Sequence, residues 1–211
     1  STDTSDSGIA ADTVSFVVSS ANEKFTAAAG KVKMKMDMRK EDFSISKVGD
    51  SGEWSITGTG IGTDTLSGFK RLEFEDGVLA LDTDPGDTAG QAYRLYQAAF
   101  ARTPDMPGVA YHMNDMESNG LVLWNIANNF LASPEFKSKY GENPTDEEYV
   151  NLLYQNVLGR SADPVAEVGW YREQFDTGAM DWAAALIGFA ESPENVSLVA
   201  PQIEDGIWMP F

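Results

Sequence analysis

The chain has 211 residues, 42% of them hydrophobic, and 33 Asp and Glu against 15 Lys and Arg, for a formal charge of −18. This length and apolar content suit one large domain or two small ones and exclude a disordered acidic tail; the charge repels nucleic-acid phosphates and anionic lipid head groups. The absence of cysteine excludes disulfides and thiolate metal sites, and no apolar run approaches the roughly 18 residues of a membrane span.

The first stretch, STDTSDSGIAAD, lacks a basic region followed by an apolar one, so it does not read as an intact signal peptide. Order at Ser1 would imply something that holds it, such as a neighbouring subunit. From there the first half reads as β. Val14, Phe16 and Val18 alternate, and VKMKMDM places Val32, Met34, Met36 and Met38 on one face at period two. Phe43 and Ile45 continue the pattern after RKED, and Trp54 and Ile56 do so after GDSGE. GTGIGTDT is predicted to be a turn region. In FKRLEFEDGVLALD, Leu72 and Phe74 face one way and Arg71, Glu73 and Glu75 the other; Asp76-Gly77 signals a hairpin returning through Val78–Leu81. Asp64 and Asp76 are expected to hold turns by accepting from nearby amides.

DTDPGDTAG breaks the alternation, and beyond it the spacing is helical. Tyr93, Tyr96, Ala99 and Phe100 share one side of a helix. Thr145-Asp-Glu-Glu148 has capping-box spacing, Ser133-Pro134-Glu135 and Ser192-Pro193-Glu194 are helix starts, and Asp163-Pro164 is a similar one. Seven or eight short helices are predicted. Residues 1–89 carry 9 basic and 16 acidic side chains and residues 90–211 carry 6 and 17, so neither half offers a nucleic-acid footprint. The expected class is α+β: an antiparallel β-domain over 1–82 that mediates assembly, an acidic junction over 83–90, and a helical domain over 91–211 with an apolar tail.

That helical domain is a duplication. LYQAAFARTPD (Leu95–Asp105) and LYQNVLGRSAD (Leu153–Asp163) match at an offset of 58, and Phe130, Ser133, Pro134 and Glu135 match Phe189, Ser192, Pro193 and Glu194 at 59. Arg102, Asp105, Arg160 and Asp163 are read as residues that lock the turn, each Arg holding helix-end carbonyls or the Asp three residues on. These motifs resemble the bacterial helical family catalogued as domain of unknown function 4214, and GTDTLSGFKRLEFEDGVLALD resembles the β-segment that precedes it in large secreted adhesins and repeats-in-toxin-type proteins. The resemblance spans Gly62–Trp208. It implies an extracellular, cell-surface or virion setting and no known catalytic activity; the Gly-Gly-x-Gly-x-Asp calcium repeats of the large members are absent from this sequence.

Signals for chemistry are sparse. His112, the only histidine, rules out a two-histidine zinc site within one chain and is aligned with Trp170 as a packing position. Gly49-Asp50-Ser51-Gly52 is read as a hairpin turn, and no phosphate loop or dinucleotide fingerprint is complete. Asp82, Asp84 and Asp87 are the metal candidates, three carboxylates around a Pro-Gly turn that suit calcium without EF-hand spacing; the competing reading is a solvated junction that caps the next helix. Trp124, Trp170, Trp182 and Trp208 are assigned to the helical half, mainly as core. Ile207, Trp208, Met209 and Phe211 are expected to dock on the body or to serve as assembly contacts. The expectation is a non-enzymatic structural or adhesive subunit of a surface assembly, in concrete form a bacteriophage or virus-like-particle spike, fibre or decoration protein. Its partners would be copies of itself, other structural subunits, or cell-surface glycan or protein, without nucleic acid or membrane insertion. The alternatives are a secreted calcium-dependent adhesin or glycan-binding module and, third, an unrecognised hydrolase.

Overall fold

The period-two segments become strands and the capped segments become helices in the computed structural model, which describes residues 12–30 and 32–211; the expectation attached to Ser1 lies outside the described residues. The chain divides into a β unit, running to Thr83 and resuming at Ile203, and a helical unit, Asp84–Gln202. The α+β class is as expected.

In the β unit, one sheet has the order β1 (Thr13–Ser15), β3 (Lys33–Lys35), β7 (Arg71–Phe74), β8 (Gly77–Ala80), β9 (Ile207–Pro210). The other has the order β2 (Lys24–Thr26), β6 (Thr63–Ser67), β5 (Glu53–Gly58), β4 (Phe43–Lys47). Met34, Met36, Leu72, Phe74 and Leu79 of the first sheet and Phe43, Ile45, Trp54, Ile56 and Leu66 of the second fill one core, so the predicted inward faces hold. Val18 is exposed. Ser51 donates to the Val48 carbonyl at 2.6 Å, which closes the turn between β4 and β5.

Four expectations are corrected. The pairing is mixed rather than antiparallel: β1 with β3, β3 with β7 and β2 with β6 run parallel. Alternation identifies a strand's faces but not its partner's direction, and crossover connections set the latter. GTGIGTDT is only partly a turn, because Thr63–Ser67 is strand β6. Asp64 lies on its buried face, 0% exposed, and accepts from the Glu23 amide at 2.8 Å, 41 residues away; Asp76 similarly accepts from the Lys40 amide at 2.9 Å. Both aspartates therefore tie distant segments rather than local turns. Finally, the tail does not belong to the helical domain. Ile207–Pro210 is strand β9, antiparallel to β8. Gly77 permits this, since a Cβ there would sit 2.6 Å from the Met209 carbonyl oxygen and 2.6 Å from the Trp208 ring.

The helical unit holds α1 (Thr88–Phe100), α2 (Met106–Glu117), α3 (Leu123–Leu131), α4 (Pro134–Tyr140), α5 (Asp146–Leu158), α6 (Glu167–Asp176) and α7 (Trp182–Ala190); α8 (Pro193–Ile203) ends where the chain re-enters the β unit. These eight make two sets of four. The starts of α1 and α5 differ by 58 residues, those of α3 and α7 and of α4 and α8 by 59. Leu95, Tyr96, Phe100 and Phe130 of the first set and Leu153, Tyr154, Val157 and Phe189 of the second share one core. The caps are as predicted at Ser133, which accepts from the Phe136 amide at 3.2 Å, at Ser192, which accepts from the Asn195 amide at 3.1 Å, and at Thr145, whose box with Glu148 is closed in both directions. Helix α6 starts at Glu167 rather than beside Pro164.

Candidate functional site

The repeated residues converge on two matching clamps. In the first repeat Arg102 lies between α1 and α2 and pairs with both oxygens of Glu135, Nε at 2.7 Å and Nη2 at 3.2 Å. In the second Arg160 lies between α5 and α6 and pairs with both oxygens of Glu194, at 2.9 and 3.1 Å. Each Glu belongs to a Ser-Pro-Glu start, so the two sequence motifs of a repeat are the two halves of one bidentate ion pair. Each guanidinium also lies over the repeat's tyrosine, at 5.1 Å from the Tyr96 ring centre and 4.7 Å from that of Tyr154. The Glu partners were missed in the sequence, where the Arg was matched to carbonyls or to the Asp. Their signal was present, because they recur in register with the Arg.

Around the clamps the repeats diverge. Asp105 caps α2 through the Gly108 amide at 2.9 Å and takes the Tyr96 hydroxyl on its other oxygen, with Arg102 at 3.4 Å. The Tyr96 bond, then the Gly108 amide, hold the Asp105 carboxyl below its usual pKa. Asp163 accepts from the Val165 and Ala166 amides at 2.9 and 2.7 Å, while Glu167 takes over the second pairing with Arg160, at 2.9 and 3.0 Å. That pairing holds Glu167's carboxyl below its ordinary range. All four predicted turn residues thus sit in the turns, occupied in holding them.

A further ion pair has no counterpart at the aligned positions of the other repeat. Arg94 on α1 is 1% exposed and pairs with Glu191 after α7, Nε at 2.6 Å and Nη2 at 2.9 Å. Arg94 also donates to the Asp84 carbonyl at 3.2 Å, and the Gly86 amide donates to Glu191 at 3.2 Å. It joins the first repeat to the second, and no sequence pattern signals it.

The metal candidates are otherwise engaged. Asp82 is buried and paired with Arg71. Asp87 takes the N-cap position of α1 and accepts from the Asp84 amide at 3.2 Å. Among the described residues, no group of three or more His, Asp or Glu side chains could hold a metal ion.

His112 is corrected in register. Its ring packs on Tyr96 and Phe130, 6.4 and 4.7 Å between centres; in the second repeat the ring packed on Tyr154 and Phe189 is Tyr171, at 6.4 and 5.4 Å. His112 therefore corresponds to Tyr171, and Tyr111 to Trp170. The inserted residue lies at the start of α6, between Asp163 and Val168, which is buried as Val109 is. The tryptophan expectation also changes. Trp124 and Trp170 are exposed, Trp182 is partly buried with its indole N–H on Asp146 at 2.7 Å, and Trp208 lies in β9. Of the four tail residues, Ile207 and Met209 are buried in the β unit, Trp208 packs on Phe74 at 5.8 Å, and Phe211 is 87% exposed.

No curated protein matches the chain. Residues 127–199, from α3 into α8, match the model of the family described as Domain of unknown function (DUF4214), so the resemblance carried by the repeated motifs holds over that stretch.

Proposed function

We propose that this chain is a non-catalytic structural or adhesive subunit of a surface assembly, extracellular, cell-surface or virion-borne, with a phage-type spike, fibre or decoration protein as its concrete form. One observation carries the reading. The arginines, glutamates and serines that recur between the repeats are spent on internal ties: Arg102 on Glu135, Arg160 on Glu194, the two serines on helix starts. A duplicated unit whose recurring charged side chains are spent on internal ties behaves as a scaffold, leaving its outer faces free for recognition. Phe211, outward at the end of β9, is the tail residue left for a contact with another copy or another structural subunit.

The test is solution mass by light scattering over a range of concentrations, with calcium and then with chelator. A calcium-independent trimer or larger assembly, reduced in mass by Phe211→Ser, is the expected result. A monomer at every concentration rejects the assembly reading. Calcium-dependent association that is lost when Asp82, Asp84 and Asp87 are all changed to Asn would replace it with a calcium-dependent adhesin.

A further inference from the structure

The two repeats share one feature that the clamps do not use. Tyr111 on α2 and Trp170 on α6 occupy the same position, and both are outward, 64% and 48% exposed. Buried positions of a duplicated unit match because packing demands it. A large ring facing water has no such reason to recur.

Each of these rings is also propped. Tyr111 meets His112 edge to face at 5.1 Å, and Trp170 meets Tyr171 at 4.9 Å. The inner rings pack in turn on Phe130 and Phe189. Each outer ring thus stands on a second ring anchored in the core, which limits its orientations and the entropy lost when something stacks on it. One turn on, at i+3, are exposed Asn114 and Glu173, each with a side-chain oxygen able to accept a hydrogen bond on the same helix face.

We propose that Tyr111 and Trp170 are two equivalent stacking platforms for an uncharged glycan, one per repeat; this rests on the adhesive side of the reading above and names its ligand class. Two observations select that occupant. The rings stand singly, with exposed polar neighbours on the next turn, whereas the centre of a protein interface is a contiguous apolar patch. The helical unit, residues 84–202, carries 6 basic and 17 acidic side chains, a net of −11, which disfavours sulfated, uronate and sialylated polymers and nucleic acid. A sugar ring offers an apolar C–H face to the aromatic ring and hydroxyls to the neighbouring oxygen, and needs no charge.

The experiment titrates the full chain with cellohexaose and with hexa-N-acetylchitohexaose by calorimetry, with a heparin hexasaccharide as the anionic control. One of the neutral hexasaccharides is expected to bind and heparin is not. Tyr111→Leu and Trp170→Leu should each weaken their own site about tenfold and leave the other site intact, and the double variant should weaken both, because leucine keeps apolar area but lacks a flat face. Tyr111→Phe keeps the face and should stay within about threefold. The proposal is overturned if neither neutral hexasaccharide binds, if heparin binds in preference, if the leucine variants bind like the wild type, or if the two rings capture a protein instead. The solution mass of the same leucine variants should be unchanged, so a failed titration leaves the assembly reading to its own test.

Discussion

Two matching eleven-residue phrases build a central helix in one repeat and a peripheral helix in the other. Ten of the thirteen residues of α1 are buried, but only five of the thirteen of α5. What the helices share is the inward set, Leu95 and Tyr96 against Leu153 and Tyr154. What differs is the rest of the circumference. Ala89, Tyr93, Arg94 and Ala98 of α1 stand where α5 has Glu147, Asn151, Leu152 and Asn156. The repeated motif therefore specifies a clamp and one packing face. The residues around it decide whether the helix is enclosed or faces water.

The largest test of this contrast is at Arg94 and Leu152. Arg94→Ala leaves Glu191 without its principal partner, in a setting where Arg94 itself is almost wholly buried. Losing one partner of such a pair should cost about 3–5 kcal/mol in denaturant unfolding. Leu152→Ala, at a half-buried apolar position, should cost about 1 kcal/mol. Equal losses at the two positions would mean that α1 is no more central than α5. The serines should show the opposite, a symmetry. Ser133→Ala and Ser192→Ala each remove a cap with the same geometry and should each cost about 1 kcal/mol. A difference above about 0.5 kcal/mol between them would separate the repeats where the structure makes them alike.

How legible all this was in the sequence depends on the range over which each feature is encoded. The helix starts at Ser133, Thr145 and Ser192 are local signals of three or four residues, and the structure bears them out. The inward faces of β3, β4 and β5 follow from alternation alone. Strand β6 was lost because glycines in GTGIGTDT read as a turn, while its strand character rests on pairing with Lys24–Thr26 and with β5, far off in the chain. The tail was read as sticky, and it is; that Ile207 and Met209 pair with strand β8, far back in the chain, depends on Gly77 making room, which no local rule announces. The clamps were half legible. Arg and Glu both recur, but pairing them requires knowing that the turn after α1 comes back against the start of α4. The exposed rings were misassigned for a similar reason. An insertion was detectable between the two blocks of matches, but its place between Asp163 and Val168 was not, and one residue of error exchanged the inner, partly buried Tyr171 for the outward Trp170.

A smaller effect, of the opposite sign, is expected at the ends of α1 and α5. Each ends in the left-handed region, at Gly159 after α5 (φ 68°) and at Ala101 after α1 (φ 50°). A Cβ is disfavoured there, and glycine is not. Ala101→Gly should stabilise the chain by about 0.5–1 kcal/mol, the relief of strain outweighing the added freedom of the unfolded chain. The converse Gly159→Ala should destabilise it by a similar amount. If Ala101→Gly destabilises instead, the first repeat does not use the helix end that the second one does.

The most delicate contrast is His112 against Tyr171, since the two rings fill the same place and only the imidazole titrates between pH 5 and pH 8. Burial among Tyr96, Tyr111 and Phe130 lowers the His112 pKa from its ordinary 6.5, while the carboxylates of Asp115 and Asp105 pull it back up. The folded chain therefore takes up this proton at a lower pH than the unfolded chain does. Between those two pH values the unfolded state binds more protons, so stability falls as pH drops below about 6.5, with a slope of at most about 1.4 kcal/mol per pH unit. Below the folded-state pKa the loss levels off, and above pH 7.5 it vanishes. His112→Tyr puts the second repeat's solution into the first: near neutral at pH 8, and without this share of the acid sensitivity when unfolding is followed from pH 8 to pH 5. An unchanged slope would mean that the His112 proton is equally at home in both states, and that the aromatic packing around it does not exclude water as the packing around Tyr171 does.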